Sequence, residues 1–267
     1  MKRLSSQNPR VKALLRLARR RGREKEEKFF VEGPRLVAEA LSAPLAVDAI
    51  YYTQKFLAGG KSKDIMATAA AKGVGAYELP PEVLNRLTAV EEPQGVLAVV
   101  RMRKSDLGDL LAAAPPLVVI IDGVQDPGNL GTMIRTAHAA GASGALLITG
   151  TVDLYNPKTI RATAGTIFHF PVVQEVPPNQ ALEFVKQAGL RLAVAEPRGA
   201  IPYYEYDFNG PVAVVVGAEG AGPQTKLIDA SSARVFIPMR PKTESLNAAV
   251  AAALLMYEAM RQRMVGR

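Results

Sequence analysis

The sequence contains no cysteine and no tryptophan, and only two histidines, His138 and His169. Without thiols there is no disulfide framework and no thiolate metal site, and the composition fits a reducing compartment. Two imidazoles leave little material for a histidine-based centre, so no metal is expected. No apolar run approaches the roughly 18 residues of a membrane-spanning helix. The apolar stretch over 249–256 is short, and Glu258, Arg261 and Arg263 follow it. The first residues are too basic to hold the apolar segment of a signal peptide. These absences lead us to expect a soluble cytoplasmic protein with no membrane partner.

What is present is more specific. A chain of 267 residues with 48% apolar content is globular and comfortable for two domains. The net charge of +8 sits entirely in residues 1–28, which carry eleven basic and three acidic side chains; the rest balances at 22 against 22. A one-signed end is the footprint of a polyanion-binding arm. Asn8-Pro9 can open a helix on which Val11, Leu14, Leu15 and Ala18 form one apolar stripe. Arg16, Arg19, Arg20, Arg21 and Arg23 crowd its other faces, and guanidinium groups suit bidentate phosphate binding. A plain solvated surface helix is the alternative reading.

Along the chain, strands are expected over 29–32, 45–52, 74–78 and 96–102. Helices are expected from Pro34, over 64–71 and over 81–88. Together they make a compact α/β unit spanning residues 1–104. Residues 105–116, ending in two prolines, read as a linker. From 117 the texture changes. The β-branched run over 117–121 has the pattern of a parallel strand buried on both faces. Further strands are expected over 145–148, 167–173, 192–195, 212–216 and 235–239. A polar stretch runs to Gly165, and helices follow near 180–188 and from Asn247. Alternating strands and helices predict an α/β domain over 117–267, a mostly parallel sheet with helices on both faces.

Three strand-to-helix turns carry polar residues where open α/β sheets bind ligands. The first, Asp126-Pro127-Gly128-Asn129-Leu130-Gly131-Thr132, leads into a helix containing Arg135. Asn129 is a suitable cap, and Arg135 should lean back over the helix start beside its free N–H groups. The second, VGAEGAGP over 216–223, sets Glu219 among Gly217, Gly220 and Gly222. Its spacing departs from the dinucleotide fingerprint G-x-G-x-x-G, it lacks the G-K-[ST] of a P-loop, and Pro223 interrupts it. The third ends in Ser245-Leu246-Asn247 before an alanine-rich helix. Each turn by itself also reads as ordinary capping or as a glycine-rich loop.

In combination, N-L-G-x-x-x-R, then V-G-x-E-G, then I-P-M…S-L-N-x-x-x-A resemble the SpoU (TrmH-like) family of RNA 2′-O-ribose methyltransferases, over roughly residues 117–257. The front unit is similar to the RNA substrate-binding module of such proteins, through FFVEGPRLVAEAL and the EEPQGVLAVV exit strand. The resemblance implies S-adenosylmethionine as methyl donor, a homodimer and a trefoil-knotted, SPOUT-like second domain. It places catalytic roles on Asn129, Arg135, Glu219, Ser245 and Asn247. Donor contacts fall on Gly217, Ile237, Met239 and Leu246, with Thr149 and Gly150 as further candidates. Ribosomal RNA is the expected substrate, favoured by the two-domain layout without a long basic tail. Transfer RNA, or a non-catalytic role in RNA binding or ribosome assembly, remains as an alternative.

Overall fold

The computed structural model of the chain describes residues 2–88 and 92–265, apart from the side chain of Lys2. Two compact units divide it: Met1–Arg103 with Tyr155–His169, and Lys104–Leu154 with Phe170–Arg267.

The first unit begins with β1 (Lys2–Arg3), α1 (Pro9–Arg16), α2 (Arg20–Glu26), β2 (Lys28–Glu32), α3 (Pro34–Ser42) and β3 (Val47–Tyr52). It continues with α4 (Gln54–Leu57), α5 (Ser62–Ala71), β4 (Gly75–Glu78), α6 (Pro81–Asn85) and β5 (Val96–Arg101). The sheet order is β1-β4-β3-β5-β2, with β5 antiparallel to both neighbours. Of the exit-strand motif, Glu91 lies outside the described residues. Leu14 and Leu17 pack on Phe30, Tyr51, Leu97 and Val99, which seats the basic segment on the sheet.

That segment is two helices, not one. A side chain at Gly22 would meet the Arg16 carbonyl at 2.0 Å, so α2 folds back closely against the end of α1. Arg23 is buried, and its guanidinium donates to the Leu17 and Ala18 carbonyls at 2.9 and 3.1 Å. It thereby satisfies acceptors that the end of a helix leaves open.

The second unit starts with β6 (Leu117–Asp122), α7 (Pro127–Ala139) and β7 (Gly144–Ile148). The expected linker contains a 3₁₀ turn, Gly108–Leu111, whose Leu110 is fully buried in this unit's core. The polar stretch before Gly165 holds a helix, α8 (Pro157–Thr163), capped by Asn156 and counted with the first unit. There Phe29 packs against Tyr155 and Phe168, with ring centroids 4.8 and 6.5 Å apart. The strand expected over 167–173 is instead a 3₁₀ turn, Thr166–Phe168, followed by β8 (Val172–Val176). Phe168 belongs to the turn because it packs on Phe29, and Pro171 lacks the N–H a strand would use.

The remainder is α9 (Pro178–Gln187), β9 (Arg191–Ala195), β10 (Ile201–Pro202), β11 (Val212–Gly217), α10 (Thr225–Asp229), β12 (Ala233–Phe236) and α11 (Ala248–Val265). The last strand ends at Phe236, so Ile237 and Met239 lie beyond it. Seven strands in the order β10-β12-β9-β11-β6-β7-β8 pair in parallel throughout. Every residue of the central strands β6 and β11 is buried. On one face Val118, Ile120, Ala213 and Val215 pack with Phe184, Val185 and Leu227. On the other, α7 and α11 lie against each other, and α11 also touches β11. Ala248, Ala249, Ala252 and Ala259 of α11 are buried; small side chains permit that close approach.

From β6 the chain runs outward through β7 and β8, then returns on the opposite side. The strand order therefore reverses between β6 and β11, and loops leaving their carboxyl ends diverge around a crevice.

Candidate active site at the β6–β11 crevice

The three polar turns meet at this crevice. At the first, Asp126 rather than Asn129 caps α7: its Oδ1 accepts from Asn129 N at 2.8 Å, and Pro127 takes the first helical position. With the cap supplied, the Asn129 side chain is released to reach across to the neighbouring strand's loop. Its Nδ2 donates to Glu219 Oε1 at 2.6 Å.

The loop carrying Glu219 is held at both ends. A Cβ at Gly217 would sit 2.1 Å from Pro223 N, so only glycine lets the chain fold back on itself there. Gly222 N donates to the Ala218 carbonyl at 2.9 Å, closing the turn. Asp122, buried at the end of β6, accepts from Gln224 N at 2.6 Å and Gln224 Nε2 at 2.7 Å. That carboxylate ties the end of the second turn to the strand preceding the first.

At the third turn, Asn247 does two jobs. Its Oδ1 accepts from Ala249 N at 2.9 Å and Val250 N at 3.3 Å, which caps α11. Its Nδ2 donates to Glu219 Oε1 at 2.8 Å and to Asn129 Oδ1 at 3.1 Å. Ala248 N also reaches Glu219 Oε1, at 3.3 Å. A single carboxylate oxygen thus gathers Asn129, Asn247 and the start of α11, where the helix dipole favours negative charge.

This cluster stands between two cavities. One, of about 540 Å³, is lined by Gly217, Glu219, Ile237, Met239, Ser245 and Leu246, with Glu196 at the end of β9. The other, of about 630 Å³, runs from Asn129 and Asn247 along the exposed face of α11 past Val250, Leu254 and Tyr257. Both fall in the roughly 300–1,000 Å³ range of small-molecule sites.

Three expectations fare differently. Thr149 and Gly150 are exposed and line neither cavity; β6 separates their strand from β11. The Gly150 carbonyl instead accepts from Gln125 Nε2 at 2.7 Å. Arg135 lies in the third turn of α7, exposed, and among the described residues makes no hydrogen bond or ion pair. At the helix start, the Asp126 side chain serves the N–H of Asn129. In the basic segment, Arg16 pairs with Glu26 at 3.1 Å and Arg20 with Glu24 at 2.7 Å. Arg19 and Arg21 are exposed, while Arg23 is committed to main-chain carbonyls.

Two carboxylates at the site escaped sequence reasoning, Asp122 and Glu196. Both end apolar strands, LVVIID and RLAVAE, and an acid closing a buried strand is the signal that could have found them. Among the described residues no group of three or more His, Cys, Asp or Glu could hold a metal, and no helix is long and apolar enough to cross a membrane.

The profile of the SpoU rRNA Methylase family matches residues 116–257, and that of the MRM3-like substrate binding domain matches residues 8–98. The 23S rRNA (guanosine(2553)-2′-O)-methyltransferase RlmP of Bacillus subtilis is 36% identical over 253 residues, covering 95% of this chain and 96% of its own. The 23S rRNA (uridine(2479)-2′-O)-methyltransferase of Streptomyces viridochromogenes is 30% identical, covering 100% and 94%. An AdoMet-bound rRNA methyltransferase from Sinorhizobium meliloti superposes with a TM-score of 0.87 at 31% identity, covering 97% of each chain. The SpoU methyltransferase AviRb of S. viridochromogenes, in complex with the cofactor AdoMet, does so at 0.87 with 30% identity, covering 98% and 100%. With profile, full-length relatives and fold in agreement, this chain belongs to the SpoU rRNA methylase family.

Proposed function

We propose that the chain is an S-adenosylmethionine-dependent methyltransferase acting on a ribose 2′-hydroxyl of ribosomal RNA. The observation that carries this reading is the convergence of Asn129, Glu219 and Asn247 beside the 540 Å³ cavity at the sheet's switch point. Two relatives matched over 96% and 94% of their own length carry 23S rRNA in their names, which favours ribosomal over transfer RNA.

The cavity fits the donor. Ile237, Met239 and Leu246 offer apolar walls to a flat adenine ring, and the Gly217–Gly222 turn brings main chain close to a ligand. Glu196 lines the same space, and its Oε2, shut off from solvent, has no hydrogen-bond partner. Such an oxygen suits a ligand rich in hydroxyl and amine donors.

Bound there, S-adenosylmethionine supplies an electrophilic methyl group to an in-line displacement. The protein's part is positioning and management of one proton. Asn129 and Ser245 orient the ribose, while Glu219 and Asn247 hold the loop and the amide of Asn129 in place. Arg135, a permanent cation, binds the adjacent phosphate and stabilises the alkoxide developing on the 2′-oxygen. The proton passes to phosphate or water, because a guanidinium does not act as a base near neutral pH.

Residues 1–104 serve as the RNA-binding domain, 105–116 as the connection and 117–267 as the catalytic domain. Arg16, Arg19, Arg20 and Arg21 offer phosphate contacts, with Arg23 holding their scaffold. The proposal includes a homodimer, supported by an apolar stripe on α11 in which Val250, Tyr257 and Met264 are 49%, 50% and 65% exposed. It includes a trefoil knot too: α11 follows β12, near the sheet edge, yet packs on α7 and β11 at the centre. It also assigns the protein to the cytoplasm.

The test is transfer of labelled methyl from S-adenosylmethionine to ribosomal RNA by purified protein, with Arg135→Lys beside wild type. Alkali-resistant dinucleotides labelled by wild type, and a loss of at least 100-fold in Arg135→Lys, are expected. No transfer, or a variant retaining most of the single-turnover rate, contradicts the reading.

A further inference from the structure

We propose that Glu196 is a cofactor-binding residue whose carboxylate accepts hydrogen bonds from the vicinal ribose hydroxyls of the methyl donor. The inference rests on the donor reading of the 540 Å³ cavity and extends it.

Register places the residue. β9 pairs with β11 through Val194↔Val215, so Glu196, two residues further on, stands level with Gly217 at the strand exit. Its main chain is fixed on both sides. Glu196 N donates to the Val235 carbonyl at 2.9 Å, and its carbonyl accepts from Gly199 N at 3.0 Å. The side chain is therefore delivered to the cavity from a rigid strand end.

Its carboxylate is unlike the other two there. Glu219 is occupied by Asn129, Asn247 and Ala248, and Glu244 is exposed on the loop 240–244. Only Glu196 has an oxygen both sealed from solvent and without a hydrogen-bond partner. A buried acceptor left unpaired is costly, and a ligand carrying donors removes that cost.

The chemistry of the donor narrows the match. A sulfonium has no N–H or O–H to give an acceptor. Two adjacent hydroxyls match the two oxygens of one carboxylate. An acid one strand over from a glycine turn is also how doubly wound folds recognise a nucleoside ribose. Distance along the sheet agrees, because Glu196 is one strand farther from β6 than Glu219. The reacting methyl belongs beside Asn129 and Ser245, and the ribose at the other end.

The experiment is isothermal titration of full-length protein with S-adenosylmethionine, S-adenosylhomocysteine and 2′-deoxy-S-adenosylhomocysteine. Wild type, Glu196→Ala and Glu196→Gln are compared, with thermal unfolding of each unliganded protein. Wild type should bind the deoxy analogue about 10-fold more weakly than its parent. Glu196→Ala should weaken both ribose ligands by about 10- to 100-fold and no longer distinguish the deoxy analogue; Glu196→Gln should fall between. The unliganded variants should melt at or above the wild-type temperature, since the oxygen removed makes no bond. Undiminished affinity in Glu196→Ala overturns the proposal, as does an undiminished preference for the 2′-hydroxyl. A melting point several degrees lower in both variants would mark a structural role and overturn it too. Wild type that binds neither S-adenosylmethionine nor S-adenosylhomocysteine would instead refute the donor reading of the cavity.

Discussion

Glu219→Ala tests how the site is held together. Glu219 Oε1 accepts from Asn129 Nδ2, Asn247 Nδ2 and Ala248 N at 2.6, 2.8 and 3.3 Å. A hydrogen bond to a charged group is worth about 1.5–3 kcal/mol at most, and the exposed setting here discounts each strongly. Loss of a negative charge at the start of α11 adds about 0.3–1 kcal/mol. Because the three bonds share one oxygen they are not additive, and a total of about 1–2 kcal/mol is expected. At about 2–4 °C per kcal/mol for a domain near this size, the melting temperature should fall by about 2–8 °C. Activity should suffer more, since misplacing the amides of Asn129 and Asn247 by about 1 Å costs on the order of 100-fold in rate. Glu219→Gln keeps an acceptor but not the charge, and should lose about 10-fold. Thermal unfolding and single-turnover methylation measure the two effects. A Glu219→Ala protein with wild-type melting and a rate within twofold of wild type would refute the view that this oxygen organises the site.

The remaining predictions concern stability and RNA. Arg263 donates to the Phe208, Pro115, Pro116 and Gly210 carbonyls at 2.9, 2.8, 3.2 and 2.8 Å. Arg263→Ala should cost about 2–3 kcal/mol in denaturant unfolding while leaving donor affinity unchanged at permissive temperature. For Asp48, burial pushes its pKa up, but Lys28 and Arg101, the latter at 3.1 Å, outweigh it and hold the carboxyl below its ordinary value. The stability it contributes is therefore present above the ordinary carboxylate range and lost as pH falls through the lowered value. Unfolding of Asp48→Asn should be easier than wild type at pH 7 and match it in strong acid. Replacing Arg19 and Arg21 by Gln should lower the slope of log affinity for RNA against log salt by about 1–2, at about 0.7–0.9 per phosphate contact. Arg23→Gln, by contrast, should lower the melting temperature with no direct effect on that slope.

Much of the fold was legible because buried parallel strands announce themselves. The runs LVVIID and VAVVVG are continuous and apolar, and both are central strands buried at every residue. The apolar run IFHFPVV misleads because apolarity records burial, not backbone form: Phe168 is buried by ring packing on Phe29 within a 3₁₀ turn. The helix α8 carries few apolar residues, though Asn156-Pro157 was a readable start. The same chemistry misassigns the cap of α7. Asp126 and Asn129 both suit a cap, and Pro127 at the first helical position decides for Asp126. Arg23 looked like its neighbours because composition cannot register that α2 folds back onto α1.

For the site, the motif residues Asn129, Glu219 and Asn247 were recognisable, but their shared oxygen was not. They lie 90 and 28 residues apart, and only the strand order brings them together. That order also accounts for Thr149 and Gly150, at the exit of β7, lying outside the linings of the two cavities. Every strand of a parallel sheet exits on the same edge, but only β6 and β11 flank the reversal.

The central claim, methylation of a ribose in ribosomal RNA, is tested most directly by mapping 2′-O-methyl groups on ribosomal RNA from cells with and without this protein. Loss of a methyl group at a discrete ribosomal position, restored by wild-type protein but not by Arg135→Ala, is the predicted result. An identical 2′-O-methyl map in both cells would contradict it.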